Sequence, residues 1–352
     1  MSDRVVTSDS DGDLYICTWL FADSVEEETA HYQVRGRSSS EEFQAVYWRS
    51  VAAFFATSAR HRSGARHVLF TNVTTPPVVD GVSMSSLLEQ LEVELVSLPL
   101  TYVTPTGYYH EWRNQFYVFD ILEHLETRLA NDDGVLLFDS DCVFVSSIEP
   151  MREALLRDGS LTYVVTYAPE WKINGLTRVE MSSIASELLG HDVNDPFVYC
   201  GGELVAVTGA QLRRLTPEVR SVWKEMLARH ARGAPVFHEE GHTLSFVYQR
   251  LGYPLGNGNP FIRRMFTDSL RDANDVSIHD HGLTVWHVPL EKRLGLRRLF
   301  ASVADTSSVF WTLPADGEWR RYLGTTLGVP RTRLDKRVRD LARRLEDLVD
   351  RR

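Results

Sequence analysis

The sequence predicts an α/β protein built on a mixed, mostly parallel sheet flanked by helices. Short apolar runs alternate with amphipathic stretches from residue 14 to about residue 292, the pattern of repeated strand and helix units. The run at 134–138, GVLLF, is apolar throughout, which suits a strand buried on both faces. With 352 residues, 43% hydrophobic and 24% charged, the chain has the composition of a globular protein with one large α/β domain or two small ones.

The elements follow in order. Residues 1–13 are polar and acidic and read as a loose leader without the apolar core of a signal peptide. Residues 14–21 (LYICTWLF) are the first strand, and 22–41 a polar loop. A helix is expected over 42–60, carrying Phe43, Tyr47, Phe54 and Phe55. A second strand at 67–73 closes on the turn 74–77. A short helix at 83–91, a strand at 94–98 and a longer helix at 111–128 precede the GVLLF strand. Strands are expected at 161–167 and 197–207 with a helix at 179–189 between them. One helix follows residue 207 and a longer one spans about 217–232. The segment VFHEEGHTLSFVYQRLG opens another helix. DVSIH and LTVWHV form a hairpin-like pair about the turn Asp280-His281-Gly282.

The last segment, 332–352, stands apart. Leu334, Val338, Leu341, Leu345 and Leu348 recur at spacings of four and three, a heptad stripe. A helix packed on its own domain, a homodimer contact and a peripheral membrane contact through its arginines all fit this pattern.

Several classes are disfavoured. A formal net charge of −10 argues against a nucleic-acid binder with a basic surface. No uninterrupted apolar run of about 18 residues is present, so no membrane span is expected. Cys17, Cys142 and Cys200 lie far apart in apolar runs, without metal-ligand spacing, and suit buried thiols in a cytoplasmic protein.

The chemistry concentrates after the GVLLF strand. In GVLLFDSDCVFV, Asp139 and Asp141 are two apart and share a side of extended backbone, with the small Ser140 between them. Ligands of open α/β sheets bind at the carboxyl ends of strands. Two carboxylates there suit Mg²⁺ or Mn²⁺ held jointly with substrate phosphates. A solvated Asp-x-Asp turn is the competing reading.

LLFDSDCVF resembles the Asp-x-Asp segment of nucleotide-sugar-dependent glycosyltransferases of the GT-A fold. The resemblance covers roughly residues 14–292 and implies a GT-A catalytic domain over 1–300, with 301–352 as an extension ending in an amphipathic helix. It implies transfer of a sugar from a nucleotide-diphosphate donor, a UDP-sugar by preference, to an acceptor hydroxyl, with Mn²⁺ or Mg²⁺ as cofactor. Thr18 and Trp19, in the first strand, would lie against the base; a core tryptophan is the alternative. Arg113 and Asn114 would face the diphosphate or sugar, where an arginine fork matches phosphate oxygens. PFVYCGGELVAV resembles the sugar-pocket strand of retaining members, with Gly201 and Gly202 allowing close approach of substrate and Glu203 at the pocket or the strand edge.

VFHEEGHTLSFVY is distantly similar to the His-Asp-Glu-Ser-His segment of the blood-group-type retaining galactosyl transferases. His238, Glu239, Glu240 and His242 match it, and Gly241 departs from its Ser. The match implies that Glu239 contacts donor hydroxyls and that Glu240 lies beneath the anomeric carbon, hence retention; an acidic helix start is the plainer reading. A third metal ligand is expected from His287, with Lys292 five residues later for the diphosphate. His279 and His281 compete for that role, because His279-Asp280-His281-Gly282 matches a His-x-x-Gly pattern of some relatives. A sugar-nucleotide nucleotidyltransferase would carry a Gly-rich loop after the first strand, where TWLFADS has none. A non-catalytic scaffold is disfavoured by the intact acid pair.

Overall fold

The computed structural model describes residues 12–29, 34, 36–61, 63–109, 113–193, 196–267, 275–315 and 317–349. The expected leader falls almost wholly outside them.

A six-stranded sheet forms the centre. Its strands are β1 (Leu14–Leu20), β2 (Arg66–Thr71), β5 (Val93–Ser97), β6 (Gly134–Phe138), β8 (Ser160–Leu161) and β9 (Leu204–Thr208), in the order β5-β2-β1-β6-β9-β8. β5, β2, β1 and β6 pair in parallel, while β9 runs antiparallel to both β6 and β8. This is the mostly parallel sheet expected from the sequence, and it is consistent with a GT-A arrangement. β6 and β9 are buried at every position, which explains why GVLLF and LVAVT carry no polar alternation.

A small sheet, β10 (Ile262–Arg264), β11 (Val285–His287) and β7 (Cys142–Phe144), adjoins the large one, and β3 (Val78–Val79) pairs with β4 (Val82–Ser83) in a ribbon. Only the residues 139–141 separate β6 from β7, so the chain passes from one sheet to the other at the acid pair.

The helices are α1 (Glu41–Ala59), α2 (Met84–Gln90), α3 (Tyr117–Arg128), α4 (Glu149–Asp158), α5 (Arg178–Leu189), α6 (Gly209–Ala231), α7 (Glu240–Leu251), α8 (Gly295–Ala304), α9 (Val309–Thr312), α10 (Gly317–Leu327) and α11 (Leu334–Val349). α1 begins at Ser40, whose hydroxyl accepts from Phe43 N–H, with Glu41 and Glu42 in its first turn. It packs on β7 and α8, while α6 packs on α3 and α7. Trp319 of α10 is buried and donates Nε1–H to Phe144 O at 3.3 Å, which ties the extension to the small sheet.

The structure corrects several of the expected elements. Residues 209–231 form one helix with Pro217 inside it, not two helices. An interior proline costs about 3 kcal/mol. Leu212, Leu215, Val219, Val222, Trp223 and Met226 are all buried, at about 1.5–3 kcal/mol each, and carry the helix across it. The strands expected at 161–167 and 197–207 are laddered only at Ser160–Leu161 and Leu204–Thr208, with a lone bridge from Val164 to Cys200. There the backbone leaves the sheet to shape the site described below. The helix expected over 111–128 begins as a 3₁₀ turn, Arg113–Phe116, before α3; positions 111 and 112 lie outside the described residues.

The expected hairpin at 275–288 is not one. Residues 278–282 form a 3₁₀ turn capped by Asp280, which accepts from Ser277 N–H at 2.6 Å and pairs with Arg263. β11 then pairs with β10 in parallel and with β7 antiparallel.

Candidate metal and donor site

The carboxyl end of β6 carries Asp139-Ser140-Asp141 into a tight turn, in which Cys142 N–H donates to Asp139 O at 3.2 Å. β11 lies antiparallel to β7 with His287 opposite Cys142. Val288 N–H donates to Asp141 O at 3.1 Å, so sheet pairing delivers the imidazole to the acids. His287 Nε2 stands 3.1 Å from Asp141 Oδ1 and 3.6 Å from Asp139 Oδ2. One ligand atom from each of Asp139, Asp141 and His287 lies within 4.8 Å of the others. Two carboxylates and one imidazole make a donor set that could hold Mn²⁺ or Mg²⁺, and the geometry fits. Lys292 Nζ sits 2.8 Å from Asp141 Oδ2.

Burial sharpens these charges. Asp139 is pushed up to about 6 by burial, reinforced by the Asp141 charge and opposed by His287. Burial acts on Asp141 in the same direction, but Lys292 and His287 outweigh it and hold Asp141 well below the usual carboxylate range. Burial lowers His287, but Asp141 and Glu203 raise it to about 9. Asp141 is thus the fixed anion of the cluster, and Asp139, one third exposed, is its open arm.

Across a cavity of about 380 Å³ stands a second carboxylate pair. Glu239 and Glu240 open α7, and both are buried. Glu239 accepts from the Tyr199 hydroxyl at 2.8 Å and from the Asn174 side-chain amide, and burial raises it to about 7. Glu240 is raised well above the ordinary range, by burial first and by Glu239 second. Its Oε2 is buried with no hydrogen-bond partner among the described residues, so one carboxylate oxygen is left for a ligand. The flanking histidines support the turn: His238 stacks on Tyr109 with ring centres 4.3 Å apart, and His242 Nε2 lies 3.1 Å from Ile173 O. Burial and His238 lower His242 to about 3, so its ring is neutral.

The cavity receives Trp19, Asn114, Ser140, Gly202 and Lys292 along with both acid pairs. Among its lining residues Asn114 Oδ1 and Gln115 Oε1 have no hydrogen-bond partner among the described residues. Three anticipated residues lie outside. Thr18 is fully buried and its hydroxyl donates to Phe138 O at 2.9 Å. Arg113 spends its guanidinium on Thr104 Oγ1 and Thr104 O, both at 3.2 Å. Gly201 does not line the cavity. A Cβ there would collide with the Glu203 carboxylate, and one at Gly202 with Glu240 Oε1, so both glycines admit acidic side chains. His279 and His281 also stand outside the lining, on the 3₁₀ turn 278–282.

Arg264 and Asp23 are among the residues of the site that escaped sequence reading. Arg264, on β10, grips Glu203 at 2.8 and 2.7 Å and lines the cavity. Its signal was an arginine within the apolar run FIRRMF, which burial obliges to find an acid. Asp23 faces Asn114 at 3.1 Å and is raised to about 6 by burial. Its signal was an acid just past the first strand, at the sheet's ligand edge.

No protein-family model and no curated protein matches the sequence. Among solved structures the chain is similar to the galactosyltransferase LgtC in complex with donor and acceptor sugar analogues. That likeness covers 87% of this chain and 99% of the other, at 14% identity and a TM-score of 0.45. At that distance the functional reading rests on the site itself.

Proposed function

We propose that this chain is a metal-dependent glycosyltransferase that moves a sugar from a nucleotide-diphosphate donor, a UDP-sugar by preference, to an acceptor hydroxyl. The observation that carries the reading is the pairing of two clusters of ionisable side chains across one cavity: Asp139, Asp141, His287 and Lys292 on one side, Glu239 and Glu240 on the other. A phosphate-binding cluster facing carboxylates with a free oxygen suits cleavage of a bond between a sugar and a diphosphate.

When bound, Mn²⁺ or Mg²⁺ supplies positive charge to the diphosphate and stabilises the departing nucleotide. Asp139, Asp141 and His287 would hold it. Lys292 adds a fixed charge at the same place, and Trp19 offers a stacking face to the base with Asn114 and Gln115 beside it. Glu239, held by Tyr199 and Asn174, would bind donor hydroxyls. Glu240, whose Oε2 has no hydrogen-bond partner among the described residues, would lie beneath the anomeric carbon in a retaining reaction, where the developing positive charge favours its ionised form. In that reaction the acceptor oxygen bonds to the anomeric carbon as the bond to the diphosphate oxygen breaks, and the hydroxyl proton leaves with the diphosphate. Three buried thiols accord with a cytoplasmic setting.

A thermal-shift screen of UDP-, GDP- and dTDP-sugars with and without Mn²⁺ tests the reading. A donor that binds the folded protein raises Tm by mass action. The expected outcome is a Mn²⁺-dependent rise with one nucleotide class, followed by sugar transfer whose product keeps the donor's anomeric configuration by NMR. No shift with any donor would reject the proposal. A shift without turnover in any acceptor mixture would favour the scaffold reading.

A further inference from the structure

The last helix is docked the wrong way round for a domain helix. Within α11, Lys336 and Asp340 are buried, whereas Leu334, Val338, Leu341 and Leu345 are 76%, 60%, 50% and 54% exposed. Residues 336 and 340 share one helix face by their spacing of four, and the heptad stripe occupies the opposite one. The polar face is held by a buried ion network. Lys336 Nζ contacts Glu291 Oε1 at 2.9 Å and Asp340 Oδ2 at 2.5 Å, and Asp340 also receives Arg298 at 3.0 Å. Helices of globular proteins normally bury their apolar stripe. Here the charged face is the anchor and the apolar face is the outer surface.

The surroundings say what covers it. Apart from the buried Lys336 and Asp340, positions 331–349 carry six arginines against three acids, in a chain whose net charge is −10. The patch continues past the start of the helix into a shallow depression lined by Ile278, His281, Arg321, Pro330, Arg331 and Arg333. Ile278 is 72% exposed there, so an apolar side chain again stands near arginines. A second copy of α11 is a poor cover. With Leu334 and Leu341 at d and Val338 and Leu345 at a, the g positions 337 and 344 are both arginine and the e positions are Asp335 and Ala342. An antiparallel pair sets arginine against arginine, and a parallel pair sets Arg337 against Ala342, so neither orientation adds an ion pair across the two helices. A planar anionic surface satisfies both features at once: leucines enter the acyl boundary while arginines meet the headgroups.

We propose that the chain binds anionic lipid surfaces through the outward stripe of α11 and the arginines beside it. The other face of the same helix is tied by Lys336 to Glu291, the chain neighbour of Lys292. The proposal does not depend on the donor or the reaction.

Co-sedimentation of the full chain with vesicles tests it. Wild type is expected to bind vesicles of phosphatidylcholine and phosphatidylglycerol in equal parts, to ignore pure phosphatidylcholine, and to dissociate at high salt. Val338→Ser combined with Leu341→Ser, and separately Arg331→Glu combined with Arg333→Glu, should each weaken binding by at least about tenfold with Tm unchanged, since these side chains are exposed. Wild type that fails to bind the mixed vesicles overturns the proposal, as does binding that survives the Val338→Ser and Leu341→Ser pair. A wild-type dimer by light scattering that the same pair converts to monomer also overturns it, in favour of a second copy as the cover.

Discussion

Glu203 Oε1 lies 3.4 Å from His287 Nδ1, on the side of the ring away from Asp141. The carboxylate is fully buried, gripped by Arg264, and held down at about 2; burial alone would raise it, and the Arg264 and His287 charges prevail. A ring held at Nδ1 by an anion presents Nε2 to the acid pair in one orientation, the usual support of a metal-binding histidine. Glu203, expected at the sugar pocket or a strand edge, is thus positioned to aim His287.

The first prediction follows. Glu203→Gln keeps the shape but loses the charge that orients His287 and neutralises Arg264. Mn²⁺ affinity by calorimetry should fall about 10–100-fold. Unchanged affinity would show that His287 is aimed by β11 alone.

Asp139 and Asp141 should separate in mutation. Asp139→Asn removes the partly exposed arm and should abolish Mn²⁺-dependent donor binding with little loss of Tm. Asp141→Asn should abolish the same binding and also destabilise, by about 3–5 kcal/mol, because it strips the anion from the buried Lys292 and His287. Chemical denaturation beside a metal titration separates the two. Donor binding that survives in both variants, still requiring metal, would move the metal elsewhere.

Glu240→Gln should leave donor affinity near wild type while turnover falls by roughly 10²-fold or more, the scale of a lost electrostatic group. Glu239→Gln should act on donor affinity or sugar choice, because its hydrogen bonds serve the ground state. Steady-state kinetics on both variants distinguishes them. Near wild-type turnover in Glu240→Gln would reduce the segment to an acidic helix start.

Asp23 supplies a pH test. Its folded value, about 6, lies above the unfolded value near 4, so the folded state favours the protonated form. That contribution is fully present below about pH 4 and is lost as pH rises to about 6. Asp23→Asn should therefore match wild type in stability at pH 4 and exceed it at pH 7, by at most about 3 kcal/mol. Equal stability at both pH values would show that the carboxylate is well solvated.

Trp19→Ala should weaken donor binding, because the ring lines the cavity, whereas Thr18→Val should cost only about 1 kcal/mol of stability for its lost bond to Phe138 O. A comparable loss of donor affinity in both would place Thr18 back at the base.

Local pattern by itself determined much of this protein. An apolar strand ending in Asp139 and Asp141 is visible in sequence because burial on both faces demands continuous apolar residues and a two-residue spacing sets both acids on one side. The acids and histidines of 238–242 and the stripe from Leu334 are equally local. Tertiary structure decided the rest. Lys292, five residues on, favoured His287 over His279 and His281, but His287 and Asp141 are 146 positions apart and meet only because β11 pairs with β7. Thr18 and Arg113 left the cavity because nearby carbonyl and hydroxyl oxygens claimed them, and Arg264 entered it because Glu203 needed a cation. The stripe of α11 faces outward because Glu291 and Arg298, far upstream, hold its charged side. Periodicity shows that a helix has two faces; the partners of each face show which one is turned to solvent.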